Sequence, residues 1–241
     1  MQRARRVSAG RQPADTAESR GKENLITNER LVEYIHSLEP ERSELLEAVR
    51  REALAADVPI IRDETAALLK CFIKAFQPHR ILEIGTAVGY SALTMAEVMP
   101  EDATILTVEN YPPRIMKARQ NLGSSPCRDR ITLREEDAGT VIRELAEEKQ
   151  CFDFIFMDAA KAQYPVWLPG ILTVLRSGGI LLSDNILQDG TITESRYQVE
   201  RRDRTIHTRM REYLFTLKHH PQLDTSIIPI GDGVSFSVKK Q

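Results

Sequence analysis

The sequence predicts an α/β fold: a doubly wound, mostly parallel seven-stranded sheet with a C-terminal antiparallel hairpin and N-terminal helices. Three observations carry this prediction. From Arg80 onward, short apolar runs alternate with stretches of helical periodicity, the pattern of parallel strands covered by helices on both faces. The last two runs, SIIPI and VSFSV, are joined only by Gly231-Asp232-Gly233, which is a turn and too short for a helix. A glycine-containing turn follows the first run, where such a sheet binds its ligands.

The elements follow in order. Residues 1–22 carry six Lys/Arg against two acids and almost no large apolar residue. Such a segment buries too little surface to offset its chain entropy, and it reads as a disordered basic tail. Residues 23–241 form one domain, with N-terminal helices over 23–79 and a Rossmann-like core over 80–241. Within 28–56, Leu31, Ile35 and Leu38 share one stripe, and Leu45, Leu46, Val49 and Leu54 another, with Pro40 between. A third helix is predicted from Asp63 to Phe76, with Asp63 at its N-cap. The strand runs are 80–84, 104–109, 130–134, 152–158, 179–184, 226–230 and 234–238. Helical patterns cover 90–99, 112–122, 139–149, 164–176 and 194–219.

Composition narrows the class. A chain of 241 residues, 41% apolar and 28% charged, is an ordinary globular domain with a short extension. Its net charge of −2 creates no overall field for a polyanion, so any such surface is local. No apolar run reaches the roughly 20 residues of a membrane helix. The basic N-terminus lacks the apolar segment of a secretory signal. Cys71, Cys127 and Cys151 are widely spaced and show neither disulfide nor zinc spacing. A cytoplasmic location is expected.

The chemistry begins at GTAVGYSALTMA, residues 85–96. Gly85 and Gly89 have no side chain, so a ligand can approach the backbone. Their spacing is G-x-x-x-G rather than the G-x-G-x-x-G of a dinucleotide site. Glu83 lies in the first strand. Glu109 ends the second strand, 24 residues after Gly85, and suits two ribose hydroxyls. Asp137-Ala138 follows the third strand, where an adenine edge would lie. Acids without a basic phosphate cradle suit a cationic nucleoside such as S-adenosylmethionine. A second oddity is CFDFIFMDAAKAQY, residues 151–164: an apolar run ends in a carboxylate, Asp158, and an ammonium, Lys161. Taken alone, that pair reads as a strand end with a surface salt bridge.

LEIGTAVGYSAL, Glu109, MDAAKAQY and SDNILQDG together resemble the metal-dependent O-methyltransferases of the catechol and caffeoyl-CoA type, from about residue 25 to the C-terminus. The resemblance implies a divalent cation, usually magnesium, on Asp158, Asp184 and Asn185. Two carboxylates and an amide oxygen are hard ligands that suit it. It makes Lys161 the residue that takes the acceptor's proton or stabilises its oxyanion. It puts Ser91 on the cofactor, where helix capping is the rival role. It has Ile61 covering the cofactor, where a core position is the rival. Tyr164 and Trp167 either border the substrate or pack the start of a helix. None of the five histidines has metal-ligand spacing.

Within that family, HPQLDTSIIPIGDGVSFSVKK and VERRDRTIHTRMREYL most resemble the bacterial tRNA 5-hydroxyuridine methyltransferases, which make 5-methoxyuridine at the anticodon wobble position. The resemblance implies tRNA as partner. From Arg196 to Lys218 the chain carries seven Lys/Arg against three acids, a local basic strip that includes Arg201, Arg202 and Arg204 and suits RNA phosphates. A solvated helix face is the rival reading. The alternative substrate is a small phenol of the catechol or hydroxycinnamoyl type. A non-catalytic nucleotide-binding module is a third reading, opposed by the two metal acids and Lys161. Relatives of this kind are often homodimers, and the N-terminal helices are the expected interface.

Overall fold

The computed structural model describes residue 26 and residues 28–241; the basic tail expected over 1–22 lies outside them. Seven strands form one sheet: β1 (Arg80–Ile84), β2 (Thr104–Val108), β3 (Ile131–Arg134), β4 (Phe152–Met157), β5 (Leu175–Ser183), β6 (Leu223–Ile228) and β7 (Val234–Lys239). Their order is β3-β2-β1-β4-β5-β7-β6. β1 to β5 run parallel, and β7 is antiparallel to both β5 and β6. The predicted hairpin is therefore present. Strand order reverses between β1 and β4, which opens a crevice at the carboxyl ends of these two strands.

Alternation along the strands divides the core. Ile81, Phe154, Phe156, Ile180 and Leu182 face one side. They pack there with helices α2 (Glu44–Ala55), α3 (Asp63–Phe76) and α4 (Tyr90–Ala96). Leu82, Ile84, Ile155, Met157 and Leu181 face the other. Their partners there are α6 (Ala138–Glu147), α7 (Tyr164–Val174) and α8 (Arg204–His219), while α5 (Pro112–Gly123) adds Ala118 and Leu122 to the first side. A first helix, α1 (Glu29–Ser37), precedes these and buries none of its residues. Among the described residues, no helix is long and apolar enough to cross a membrane.

Several expectations need correction, among them the last-but-one strand, which is Leu223–Ile228 rather than 226–230. Asp63 does not cap α3. Arg62 holds the cap position, and the Asp63 carboxylate instead takes Arg42 and Arg50, each at 2.7 Å. β5 begins at Leu175 rather than Gly179, because buried Leu175 is extended and pairs with Phe152 across a register shift. Residues 194–203 are turns, and α8 starts only at Arg204. That stretch has no apolar stripe to bury, and without packing a short helix does not form.

Candidate active site

The C-terminal ends of β1 to β5 surround a cavity of about 960 Å³. Gly85, Glu109, Asp137, Ala138, Asp158, Lys161, Trp167 and Asn185 line it. They lie just beyond the ends of five strands, β1 to β5, in loops or in the helices that follow, so the sheet order assembles them. Asp158 follows β4 directly, and its amide donates to Ile84 in β1 at 2.9 Å. That close approach explains Gly85, which has φ +103°. A Cβ there would stand 1.9 Å from the Asp158 carbonyl oxygen.

Several predicted residues lie off the cavity wall. Gly89 is the left-handed cap of α4, and a Cβ on it would meet Leu122 at 3.0 Å; it serves helix packing. Ile61 is buried in the core, while its neighbours Pro59, Ile60 and Arg62 reach the cavity. Ser91 is buried in the first turn of α4, near Glu83. Glu83 is itself fully buried beneath the glycine turn and accepts from Thr107 Oγ1. Burial pushes its carboxyl up to about 7 against the pull of the Ser91 and Thr107 hydroxyls. Tyr164 is fully buried; its hydroxyl donates to Met157 O at 2.9 Å and receives Ala159 N at 3.1 Å. It ties down the end of β4 rather than bordering a substrate.

Glu109 holds the adjoining loop. Its carboxylate accepts Ala87 N at 2.9 Å and the Asn110 and Tyr111 amides at 3.0 Å. Asp137 caps α6, with Oδ1 taking Thr140 N at 3.1 Å.

Asp158 and Lys161 form an ion pair of 2.7 Å. Burial works against the Lys161 charge, but Tyr164 and Asp158 outweigh it and the ammonium stays protonated. Asp184 is only 2% exposed. Burial, and then Asp158, push its carboxyl up to about 7, because two carboxylates in one dry place resist ionisation. A cation between them would relieve that cost. Among the described residues, no three His, Cys, Asp or Glu side chains cluster as a metal site; Asn185 adds an amide to the cavity wall beside the two carboxylates. The donors present, two carboxylates and an amide, are all oxygen and fit a hard cation.

Asp232, Arg62 and Asp189 were not among the predicted site residues. Asn185 Nδ2 donates to Asp232 Oδ2 at 2.9 Å. Arg62 pairs with Asp232 and, at 2.7 Å, with Asp189. An acid between two glycines in a hairpin turn was the available signal. Its place beside Asn185 depends on β7 pairing with β5, which no local pattern reveals.

The basic strip is not one open face. Arg209 donates to Ala162 O at 2.8 Å, Arg211 to Ile192 O at 3.1 Å and Lys218 to Thr225 O at 2.7 Å. Arg204 donates to Val199 O at 3.3 Å, and Arg202 pairs with Glu200 at 2.9 Å. Arg196, Tyr197, Arg201 and Arg202 are exposed, Tyr197 by 83%.

Comparison with known proteins supplies the family. Residues 36–240 match the family model described as O-methyltransferase. The chain is 28% identical over 225 residues to the tapetum-specific methyltransferase 1 of Arabidopsis thaliana, covering 88% of this chain and 94% of that one. It is 29% identical over 164 residues to the catechol O-methyltransferase of Niastella koreensis, covering 67% and 74%. A Podospora anserina methyltransferase solved with S-adenosylhomocysteine superposes with a TM-score of 0.75 at 25% identity, covering 97% of this chain and 100% of that one. With the matched segment spanning the whole sheet and every wall of the cavity, the chain belongs to the O-methyltransferase family and is a methyl-transferring enzyme.

Proposed function

We propose that this enzyme transfers the methyl group of S-adenosylmethionine, with a divalent cation, to the 5-hydroxyl of uridine at the wobble position of tRNA. The cofactor reading rests on the cavity: Glu109 for the ribose, Asp137 and Ala138 for the adenine edge, and backbone at Gly85. Asp158, Asp184 and Asn185 would hold the cation, magnesium or another divalent ion. When bound, it would make the acceptor hydroxyl more acidic. Asp158 and Lys161 sit at the reacting end, and the protonated Lys161 stabilises negative charge on the acceptor oxygen. The walls hold donor and acceptor together and in line. The enzyme would work in the reducing cytoplasm, the setting that three free cysteines suit.

One observation carries the RNA reading. Residues 196–202, which follow the metal motif, expose Arg196, Tyr197, Arg201 and Arg202 together. Cations interleaved with an aromatic ring match a single-stranded, stacked base and its phosphates. A small phenol is the second reading, favoured by the catechol and caffeoyl-CoA relatives. Both acceptors present two adjacent oxygens. We also propose a homodimer built on α1 and its C-cap, where Leu31, Tyr34 and Leu38 are each more than half exposed.

The test compares methylation of hypomodified tRNA and of catechol, with and without EDTA, in the parent and in Arg201→Glu/Arg202→Glu. EDTA should abolish both reactions; full activity in chelator would remove the metal. The double variant should bind tRNA more weakly. Its salt slope should fall by roughly 1.4, at about 0.7 per phosphate contact. Catechol turnover, if present, should not change. No loss on tRNA would overturn the role of these arginines, and equal losses on both substrates would point to a folding defect or a small-molecule lid.

A further inference from the structure

We propose that Asp232 is a positioning residue: it orients the Asn185 side chain so that the amide oxygen, not the amide nitrogen, is presented to a cation. The inference rests on the metal reading above, and it assigns a role to a residue outside the predicted ligand set.

The hydrogen-bond chemistry admits one arrangement. An amide offers a donor and an acceptor end. An ionised carboxylate only accepts, so the Asn185 NH₂ must face Asp232, and it does so at 2.9 Å. Turning the amide over would set its oxygen against the carboxylate. The bond therefore commits Nδ2 and leaves Oδ1 for the cavity that Asn185 lines. Asn185 also stands in the left-handed region, at φ 55°, which asparagine tolerates better than most residues.

Asp232 is itself held from three sides. Arg62 pairs with its other oxygen and, at 2.7 Å, with Asp189. The turn's backbone receives the Leu187 amide at Asp232 O, 2.9 Å, and the Ile186 amide at Gly233 O, 3.0 Å. The flanking glycines let the turn fit. A Cβ on Gly231 would stand 2.8 Å from Thr65 Oγ1, and one on Gly233 would stand 2.3 Å from Leu187. The turn is thus clamped between the start of α3 and the segment after Asn185. Groups that orient a ligand in this way change metal affinity by about 10- to 100-fold when removed.

The test is Mn²⁺ binding followed by electron paramagnetic resonance, with S-adenosylhomocysteine affinity and thermal melting as controls. Asp232→Ala should weaken Mn²⁺ about 10- to 100-fold and leave S-adenosylhomocysteine binding intact. Asp232→Asn carries a donor as well as an acceptor, and Arg62 would take its one oxygen, so it no longer forces the Asn185 amide one way and should weaken Mn²⁺ by about tenfold or more as well. In an Asn185→Ala background, Asp232→Ala should add no further loss, since there is no amide left to orient. Unchanged affinity in Asp232→Ala, or additive losses in the double variant, would overturn the proposal. Should Asp232→Ala fail to fold, Asp232→Asn decides: Mn²⁺ affinity within about threefold of the parent would overturn the proposal. A parent protein that binds no Mn²⁺ would overturn the metal reading itself.

Discussion

Glu83 is a residue whose setting reverses its ordinary behaviour. A glutamate in an unfolded chain titrates near 4.5, whereas here burial raises the carboxyl to about 7. Between those values the folded protein holds a proton that the unfolded chain has released. Glu83 therefore supports stability fully below about pH 4.5, and that support is lost as pH rises to 7. The amount is about 3 kcal/mol, at roughly 1.4 kcal/mol per pH unit. Asp184 titrates in the same direction, so the informative quantity is a difference between variants. Glu83→Gln keeps an acceptor for the Thr107 and Ser91 hydroxyls and removes the titration. Thermal melting of the ligand-free protein should fall more steeply from pH 5 to 7.5 in the parent than in Glu83→Gln. Parallel curves would show that Glu83 is ionised throughout.

At the scale of elements, the turn from β1 into α4 sets the site. It brings the end of β1 against the Asp158 backbone, and only a residue without Cβ fits there. Gly85→Ala would have to move backbone rather than a flexible side chain, and its φ of +103° also disfavours alanine. The expected loss is about 3 kcal/mol or more in urea unfolding, with Asp158 displaced. Gly123, at the end of α5, meets nothing within 4 Å. Gly123→Ala should be neutral or stabilising, by up to about 1 kcal/mol. Similar losses at both positions would refute the close-approach argument.

On the scale of the whole molecule, α1 is held by α3 but leaves its apolar side chains exposed. His36 reaches Glu64 at 2.6 Å and ties α1 to α3. The large apolar side chains of α1 remain outside, and a two-fold contact would cover them. Light scattering should find a dimer, and Leu31→Glu/Leu38→Glu should convert it to a folded monomer. A parent that is already monomeric would leave α1 without this role.

Periodicity placed most helices and strands because each side chain's face follows from local spacing, but it missed the start of β5 and the turns before α8. RILEI and the 63–76 helix stand where the pattern predicts. Asp158 and Asn185 are legible as cavity residues because strand ends in a doubly wound sheet converge by rule. Ile61 and Ile60 differ by one position, and only packing decides that Ile61 enters the core while Ile60 meets the cavity. The arginines of α8 look alike in sequence. Their tertiary partners, the carbonyls of Ala162 and Ile192, take Arg209 and Arg211 out of any open strip. Asp232 lies 47 residues from Asn185. It reaches Asn185 because β7 inserts antiparallel between β5 and β6, and long-range strand pairing is set by the whole core rather than by any local run.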